Sequence, residues 1–516
     1  MPFDYKPFPF VPPPGLNATE PQHQVIIVGA GPVGLATGLL LAQAGIKAVI
    51  LEANNVVAMG SRALCWSKRS LEIFARLGIA EKVLAKGVFW ETARTRRGTD
   101  ELFTTDLNPD PGQRMPAFVN LQQYHVETLL IDRIRAEPAI DLRFSNRVEA
   151  VEQDDAGVHV YVTTPDGDYG LRADYLIACD SARSAIRTKL GLDMVGTAFE
   201  DQFLVADVET DHDLPSGRMF WFDAPFNPGR TSLLHRQPDG LWRVELQIPP
   251  DANPEEEALP EQILPKLSLI FPKSELRLDW VSLYRFQCRR LPQFRQGRVF
   301  FAGDSAHVMP PFGARAGNGG LQDAVNLSWR LASTIQGQGS AQLLDGYDRE
   351  RGQATDENLR QAQATARFMA PGSAVERAFR DGLLAMSRNT GFARDWVNTG
   401  RLATPGIYPS AGPDDSALPA HTRPGAVAED APHGHGWLLD ALGGELRLIA
   451  INSPVPDVPL PCIEADPNPT VRKHYLGDAA RALYLIRPDQ VIAARWVDPT
   501  PEAITDAVTE LWEGRI

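Results

Sequence analysis

Glycines at three positions of a short run are the first residues whose spacing suggests ligand binding. Gly29, Gly31 and Gly34 follow the apolar run of residues 25–28 and precede an apolar, helix-forming stretch that ends near Gly45. In a strand–turn–helix unit the first glycine permits a tight turn, the second lets the backbone approach a pyrophosphate, and the third lets the helix pack closely on the strand. The free N–H groups at the start of the helix attract phosphate. The run therefore predicts a dinucleotide-binding turn.

An acid after the next strand restricts the choice of dinucleotide. Residues 47–51 form a second predicted strand, which ends at Glu52. A carboxylate at this place accepts hydrogen bonds from a ribose diol and repels a 2′-phosphate. The dinucleotide held here is therefore expected to be FAD or NAD, and not NADP.

Two later segments repeat the pattern of a strand followed by an acid or a glycine-bearing loop. Residues 175–178 are an apolar strand leading to Asp180, and residues 298–302 are another, leading to Asp304. The glycine-bearing loop of residues 312–320 comes next, and a helix is predicted to begin near Leu321. Backbone N–H groups in such a loop can face an anion. The three segments together could hold one long, bent ligand at several points.

Composition and charge limit the classes of partner. The formal net charge is −14, which argues against nucleic acid because phosphate binding needs a basic face. The local basic cluster of residues 94–97 is predicted to be a solvated surface. Four cysteines without a Cys-x-x-Cys pair fit a reducing cytoplasm.

Glycines and a proline interrupt the apolar stretch of residues 25–44, so no membrane span is predicted. The proline-rich residues 1–20 are predicted to be an extended arm. No metal site is predicted, because His433 and His435 lack further ligands.

The three segments, in this order, resemble the motifs of the class A flavoprotein monooxygenases. These are single-component FAD-dependent aromatic hydroxylases, and they include phenol hydroxylase and 3-(3-hydroxyphenyl)propionate hydroxylase. The resemblance covers about residues 25–365, with a weaker match to the C-terminus. It implies an α/β fold, α+β in part, in which a mainly antiparallel substrate sheet is inserted into a Rossmann-like FAD-binding domain.

The resemblance implies a cofactor role for individual residues. The positions that match the family's FAD site are Gly29, Gly31, Gly34, Glu52, Arg62, Gln123, Val148, Asp180, Asp304, Pro311, Ala316, Gly317 and Asn318. Arg62, in the run of residues 61–63, is expected to contact the flavin or its phosphates, and Gln123 is expected to open a helix. Val148 is expected beside the adenine.

Further roles follow from the same resemblance. Asp180 is expected to support both FAD and transient nicotinamide binding, and Asp304 to bind the ribityl chain. Pro311 and the backbone of residues 316–318 are expected along the isoalloxazine ring.

Two departures from the family pattern concern backbone conformation and charge. Ser181 stands where the family has glycine after the acid, and the flavin loop has Ala314, Arg315 and Ala316 where more glycine is usual. Arg315 could attract an anionic substrate or restrain the flavin, or it could form a surface salt bridge.

The chemistry implied by the resemblance is hydroxylation of a small phenolic or other aromatic ring. NADH or NADPH would reduce the flavin, O₂ would add to it as a C4a-hydroperoxide, and the distal oxygen would attack the ring. The protein must then stabilise the reduced flavin, exclude water and favour the phenolate. The chain has no second glycine-rich nucleotide unit, so the nicotinamide is expected to bind transiently.

Alternating stretches between residues 203 and 286 predict antiparallel strands that cover the flavin. Candidate pocket residues are Trp221, His235, Arg236 and Tyr284, and the candidate catalytic residues are Tyr284, His235 and Arg315.

The predicted division of the chain is an arm (1–20), a discontinuous FAD-binding domain (21–190 and 285–370), a substrate-binding sheet (191–284), a helical or linker region (371–422) and a C-terminal domain (423–516). The last resembles the thioredoxin-like domain of the phenol hydroxylase branch, on the tract of residues 487–489 and 495–496. It lacks Cys-x-x-Cys, so we expect it to serve packing or homodimer formation.

Two other readings stay open at this point. One is a related FAD halogenase or reductase, although residues 220–222 do not match a Trp-x-Trp-x-Ile-Pro halogenase signature. The other is a non-catalytic FAD-binding regulator.

Overall fold

The structure is a computed structural model that describes residues 3–17, 20–60, 62–108, 112–212, 214, 217–249, 251–398 and 403–516. Ser61 is the first residue of the segment 61–63, which carries Arg62, and it lies outside the described residues.

The strands in these ranges are, in chain order, β1 (His23–Val28), β2 (Ala48–Glu52), β3 (Cys65–Ser67), β4 (Val88–Phe89), β5 (Thr92–Arg97), β6 (Asp100–Asp106), β7 (Phe118–Asn120), β8 (Ile140–Phe144), β9 (Arg147–Asp154), β10 (Gly157–Thr164), β11 (Gly167–Ala178), β12 (Val195–Glu209), β13 (Arg218–Ala224), β14 (Asn227–Arg236), β15 (Leu241–Ile248), β16 (Arg277–Arg290), β17 (Arg295–Gln296), β18 (Val299–Phe301), β19 (His307–Val308), β20 (Pro432–His433), β21 (Gly436–Trp437), β22 (Arg447–Ile451), β23 (Cys462–Glu464), β24 (Ala482–Ile486) and β25 (Ile492–Trp496).

The helices are α1 (Pro32–Gln43), α2 (Lys68–Arg76), α3 (Ala80–Lys86), α4 (Gln123–Arg135), α5 (Ala185–Lys189), α6 (Pro254–Glu257), α7 (Pro260–Ile270), α8 (Ala316–Ile335), α9 (Ala341–Met369), α10 (Ala374–Ser387), α11 (Gly391–Asn398), α12 (Leu438–Leu442), α13 (Pro469–Val471) and α14 (Pro501–Trp512).

A largely parallel sheet brings the three predicted motifs together. Its strand order is β17-β18-β11-β1-β2-β8, and the β9–β10 hairpin extends β11. Strand β1 pairs in parallel with β2 and β11, and β11 pairs in parallel with β18. The carboxyl ends of parallel strands meet at one edge, so the loops after β1, β11 and β18 lie side by side. Open α/β sheets bind ligands at this edge.

Helix α8 begins at Ala316, and the prediction of a start near Leu321 was wrong. Glycines at the helix start obscure it in the sequence, because glycine is a poor helix former. The packing of α8 on α1 and the adjacent loop explains one of them. A Cβ on Gly320 would lie 2.6 Å from Val33 Cγ2 of α1 and 3.1 Å from Gly303 Cα.

A second sheet covers the ligand edge, in the order β19-β16-β12-β15-β14-β13-β5-β6. It is antiparallel except where β13 runs parallel to β5. The predicted antiparallel stretches lie within β12, β13, β14 and β15. The sequence did not indicate that β5 and β6, from an earlier part of the chain, belong to the same sheet.

The two faces of this sheet differ in chemistry because side chains alternate along each strand. One face is apolar and packs on α7; its residues include Leu204, Ala206, Val208, Leu234, Val244 and Leu246. The opposite face, here called the cleft face, is turned toward the parallel sheet, and the rings of Phe203 and Phe312 are 5.3 Å apart across the gap. A cross-strand row on the cleft face consists of Arg218, His235, Arg243, Asp207 and Trp280.

The C-terminal region forms a mixed sheet in the order β23-β22-β24-β25, with apolar clusters on both faces. Its assignment as thioredoxin-like remains a prediction. The region docks on α8 and α9 through buried ion pairs: Arg487 donates to Glu350 at 2.7 and 2.8 Å, and Arg330 lies 2.7 Å from the same carboxylate. Within the described ranges, no helix is both long and apolar enough to cross a membrane.

Candidate functional site

The turn after β1 leaves its backbone open to a ligand. A Cβ on Gly29, whose φ is +106°, would come within 2.4 Å of the Cys179 carbonyl oxygen, so glycine is required there. A Cβ on Gly31 would meet only Glu127 Oε1, at 4.0 Å. Helix α1 begins directly after Gly31 without a side-chain cap, so its first N–H groups are available to phosphate.

Glu52 holds this turn in place. Its Oε2 accepts the Ala30 N–H at 2.8 Å, and its Oε1 accepts the Asn54 N–H at 2.8 Å. Asn54 Nδ2 also donates to Oε1 at 2.7 Å, so three of the about four acceptor positions of the carboxylate are used. The remaining position, on Oε2, suits a ribose hydroxyl.

The loop after β11 contains an unsatisfied acid. Asp180 Oδ2 accepts the Ile186 N–H at 3.1 Å, whereas Oδ1 is buried and has no hydrogen-bond partner among the residues described. Burial raises the pKa of this carboxyl. Ser181 has a φ of +73°, which explains why glycine is usual after the acid.

The loop after β18 presents Asp304. Its side chain is exposed, yet protein surrounds it closely enough to raise its pKa, an effect opposed by His307 and Arg62. This combination places Asp304 on the floor of a cleft. Asp323 fixes the loop from behind, since it accepts the Gly303 N–H at 3.0 Å and lies 2.7 Å from His307 Nε2.

Helix α8 directs its N-terminus at the same cleft, and Ala316 and Gly317 form its uncapped first turn. The third residue, Asn318, anchors the helix: Oδ1 accepts the Ser67 N–H at 2.9 Å, and Nδ2 donates to the Cys65 carbonyl at 2.8 Å. In the preceding loop the Pro311 carbonyl accepts the Ala314 N–H at 3.0 Å. Ala314 has a φ of +55°. Like Ser181, it therefore adopts a conformation that favours glycine at a position where glycine is usual in the family.

Gln123 opens α4, as expected, and ties the Arg62 segment to that helix. Its Oε1 accepts the Ala63 N–H at 3.0 Å, and its Nε2 donates to Glu127 Oε1 at 2.7 Å. Glu127 also accepts the Ala58 N–H at 2.7 Å, and burial raises its pKa to about 7. Sequence reasoning assigned no role to Glu127, although its position one helical turn after Gln123 was a usable signal.

Val148 lies in β9 and is buried in the core of the parallel-sheet domain. Its place beside an adenine remains a prediction.

Tyr284 lies in an aromatic cluster on the cleft face. The cluster comprises Phe199, Phe203, Phe220, Leu233, Tyr284, Phe286, Phe312, Ala366 and Met369. Burial raises the pKa of Tyr284, and the charges of Arg62 and Asp304 are close enough to affect it. Tyr284 is therefore within electrostatic range of Asp304 and Arg62, the acid and arginine predicted from the sequence.

His235 and Arg315 are both buried. His235 Nε2 is 3.7 Å from Glu245 Oε1, its Nδ1 has no partner in the described structure, and burial keeps its pKa well below the ordinary value. Arg315 is not a surface salt bridge: Nη1 donates to Asn358 Oδ1 at 3.0 Å, and Nε and Nη2 are buried without a described partner.

Trp221 and Arg236 are on the wrong face for the predicted pocket. Their cross-strand partners are Ser232 and Trp242, and Trp221 and Trp242 pack in the apolar cluster against α7. The period of two along a strand places both residues opposite the cleft face.

The converging loops fit a dinucleotide with a flavin. They offer two uncapped helix N-termini, the unsatisfied buried oxygen of Asp180 and the accessible carboxylate of Asp304. No group of three or more His, Cys, Asp or Glu side chains suited to a metal ion occurs in the ranges that the structure describes.

Comparisons with known proteins agree with this geometry. A family model described as an FAD binding domain matches residues 22–362. The chain is 32% identical over 339 residues to para-nitrophenol 4-monooxygenase from Pseudomonas sp. strain WBC-3, covering 64% of this chain and 83% of that enzyme. It is 30% identical over 372 residues to 3-(3-hydroxy-phenyl)propionate/3-hydroxycinnamic acid hydroxylase from Klebsiella pneumoniae strain 342, covering 71% of this chain and 66% of that enzyme. The crystal structure of the flavin-dependent monooxygenase PieE with FAD and substrate matches with a TM-score of 0.78 over 96% of this chain and 100% of that chain, at 22% identity, which shows the fold alone.

Proposed function

The chain belongs to the FAD-dependent aromatic hydroxylases of the class A flavoprotein monooxygenases, and from this membership we propose that it uses O₂ to hydroxylate a small phenolic ring. Its cofactor is FAD and its co-substrate is a reduced nicotinamide. FAD, when bound, supplies the redox chemistry for O₂ activation that amino-acid side chains lack.

The cofactor contacts follow from the three loops. We assign the pyrophosphate to the backbone around Gly31, the ribose of the ADP half to Glu52 and the ribityl chain to Asp304. The N-terminus of α8 supplies positive potential for an anionic reduced flavin, and Arg315, the residue directly before the helix, adds to it. We assign Asp180, whose Oδ1 has no hydrogen-bond partner among the described residues, to the binding of FAD and of the transient nicotinamide.

The single observation that carries the substrate proposal is the position of Tyr284. A tyrosine hydroxyl is protonated at neutral pH, and burial raises the pKa of Tyr284 further, so it can donate a hydrogen bond to a phenolate oxygen. The packed rings of Phe203, Phe286 and Phe312 beside it exclude water. His235 is neutral at this pH and can accept or donate one hydrogen bond, but its low pKa makes it a poor resident base.

The proposal also includes a homodimer in the cytoplasm. An exposed apolar surface on α10 and α11 supports association between copies; it comprises Val375, Phe379, Met386, Phe392 and Trp396. The halogenase, reductase and regulator readings are not favoured by the relatives, which are named as hydroxylases and monooxygenases.

The test of function is a panel of phenols assayed for NADH and NADPH oxidation, O₂ uptake and hydroxylated product. We expect at least one phenol to accelerate nicotinamide oxidation and to yield product in proportion. Absence of stimulation by every phenol in a broad panel would refute the hydroxylase proposal.

Asp304 offers a separate test of the cofactor site. Asp304→Ala is expected to purify mostly without FAD, because the variant loses the accessible carboxylate at the cleft floor. The measurement is the ratio of flavin to protein absorbance, with the exposed Asp193→Ala as a control that keeps normal FAD content. Full FAD retention by Asp304→Ala would contradict the assignment.

A further inference from the structure

The proline-rich arm is packed against the FAD-binding core, although it lies outside residues 22–362, which the family model matches. Its described part, residues 3–17, contains no strand and one short helical turn. Phe8 stacks on Phe144 of β8 with 4.1 Å between the ring centres, and the Phe8 N–H donates to the Asn55 carbonyl at 2.6 Å. The arm is therefore anchored at a defined place on the core.

A second contact joins the arm to the segment that carries Arg62. The Tyr5 hydroxyl accepts the N–H of Gly60, two residues before Arg62, at 3.1 Å. The Tyr5 ring packs at the start of α4, where its centre is 5.6 Å from that of Tyr124. Phe3 packs on the same ring, with 4.2 Å between the centres. The position of the Tyr5 hydroxyl is thus fixed by the aromatic side chains around it.

Gly60 is held from a second side by the sheet that covers the ligand edge. A Cβ on Gly60 would lie 2.5 Å from Trp280 Cε2 of β16, so the indole contacts the backbone directly. The φ of Gly60 is +74°, which also favours glycine. Gly60 therefore contacts the arm through its N–H and the covering sheet through its Cα.

Three side-chain oxygens accept N–H groups from this segment, on both sides of Arg62. Two of them belong to α4, in Glu127 and Gln123, and the third is the Tyr5 hydroxyl. Both α4 residues lie within the residues that the family model matches, and Tyr5 lies outside them. The arm therefore adds a hydrogen bond to a segment that the core already holds at two points.

Arg62 itself is exposed and lies near the loops that we assign to FAD. Its positive charge is within electrostatic range of Glu127, Asp304 and Tyr284, where it opposes the rise in pKa that burial causes. A long arginine side chain loses rotamer freedom when it binds a ligand. A backbone that is already fixed beneath the side chain lowers the cost of ordering it.

We propose that residues 3–17 clamp the segment that carries Arg62, and that Tyr5 is a positioning residue for FAD binding that acts through Arg62. This inference rests on the proposed function, because it takes FAD as the ligand and Arg62 as one of its contacts. It adds a determinant of FAD retention that the family model does not include. Loosening the clamp lowers FAD affinity only while Arg62 is present to be positioned.

The test is a double-mutant cycle on FAD affinity, measured from the free FAD that the full-length holoenzyme releases on dilution. Tyr5→Phe keeps the ring and removes the hydroxyl, and it is expected to raise the Kd for FAD about fivefold, the worth of one hydrogen bond. In the Arg62→Met background the same change is expected to raise the Kd by less than about twofold. Non-additivity of this kind identifies residues that act together, which a purely structural role of Tyr5 would not produce.

Phe8→Ala tests the arm as a unit, because it removes the stacking contact with β8. It is expected to raise the Kd for FAD in the wild-type background and to have a smaller effect in the Arg62→Met background. Tyr161→Phe is the matched control, since it removes a tyrosine hydroxyl that donates to Glu152 at 3.2 Å on the surface. It is expected to leave the Kd unchanged in both backgrounds.

The proposal is overturned if Tyr5→Phe or Phe8→Ala leaves FAD affinity unchanged, or if Tyr5→Phe weakens it equally with and without Arg62. If Arg62→Met retains too little FAD for measurement, Arg62→Lys takes its place in the cycle, because it keeps the charge and removes the planar fork. The effect of Tyr5→Phe is expected to shrink in that background as well, and an undiminished effect overturns the proposal.

Failure of the proposed function has a different signature. Non-additive FAD binding by Tyr5 and Arg62, without phenol-stimulated nicotinamide oxidation, would refute the hydroxylase and keep the clamp. Hydroxylation of a phenol by an enzyme in which the two substitutions are additive would refute the clamp and keep the hydroxylase.

Discussion

Glu127 is a buried carboxyl group beside the dinucleotide turn, and its protonation couples the site to pH. Its raised pKa comes first from burial, and the nearby charge of Glu52 adds to it. Hydrogen bonds from Gln123 and Ala58 oppose the shift without cancelling it. The group therefore exchanges its proton near neutrality, although an ordinary glutamate does so near pH 4.5.

Glu127 should make stability fall as the pH rises. Because the folded pKa of about 7 exceeds the unfolded value of 4.5, the folded state binds the proton more tightly. The resulting stabilisation is complete below pH 4.5 and is lost as the pH rises through 7. In wild-type protein the free energy of unfolding should fall by on the order of 3 kcal/mol between these pH limits, and Glu127→Gln should abolish this fall. Chemical denaturation at several pH values measures it, and equal pH slopes in both proteins would contradict the assignment.

Individual residues also show where sequence reasoning reached its limit. The departures at Ser181 and Ala314 could be recognised from the sequence, but their meaning required φ angles of +73° and +55°.

At the scale of elements, α8 links the flavin loop to α1 through a contact that only glycine permits. Gly320 touches Val33, and its neighbours in the first turns of α8 surround the proposed flavin site. Local propensity argues against a helix here, and tertiary packing overrides it. The strands were more accessible to prediction, because β1, β18 and the last four residues of β11 (175–178) are short apolar runs of the kind that central parallel strands require.

Gly320→Ala should destabilise the protein even though alanine is the better helix former. The added Cβ would lie 2.6 Å from Val33 Cγ2, and overpacking of this kind costs about 1–3 kcal/mol. Gly382→Ala in α10 is the matched control, because it meets nothing within 4 Å and should stabilise by about 1 kcal/mol. Thermal unfolding measures both, and stabilisation by both substitutions would show that α1 and α8 do not pack this closely.

At the scale of the whole molecule, buried ion pairs join the C-terminal sheet to the FAD-binding core. Glu350 of α9 receives Arg487 from the C-terminal region and Arg330 from α8, and Asp489 lies 2.6 Å from Arg487. Arg69 of α2 extends the contact by donating to the Asp489 carbonyl at 2.9 Å. The sequence predicted a packing role for the C-terminal region, but not the surface on which it docks, because residues distant in the chain form these pairs.

Arg487→Met should destabilise the protein by about 3–5 kcal/mol, because it leaves a buried carboxylate cluster with one cation fewer. Arg481→Met is the control in the same region, since Arg481 pairs with Asp498 on the surface, and the expected loss is at most about 1 kcal/mol. Denaturant unfolding followed by fluorescence reports the change, because Arg487 lies 5.2 Å from the Trp329 ring. Equal losses in the two variants would mean that the buried network does not secure the C-terminal region.

The parallel pairing of β5 with β13 has a consequence for synthesis of the chain. Strand β5 leaves the ribosome well before β13, so it waits as an unprotected edge that other nascent chains could join. Arg94, Arg96 and Arg97 occupy half of that strand, and charge on an edge discourages such joining. In the finished fold these arginines pair with Glu101, stack on Trp221 and pair with Asp381. The same charges thus oppose aggregation before the sheet closes, and they form ion pairs and a cation–π contact once it has closed.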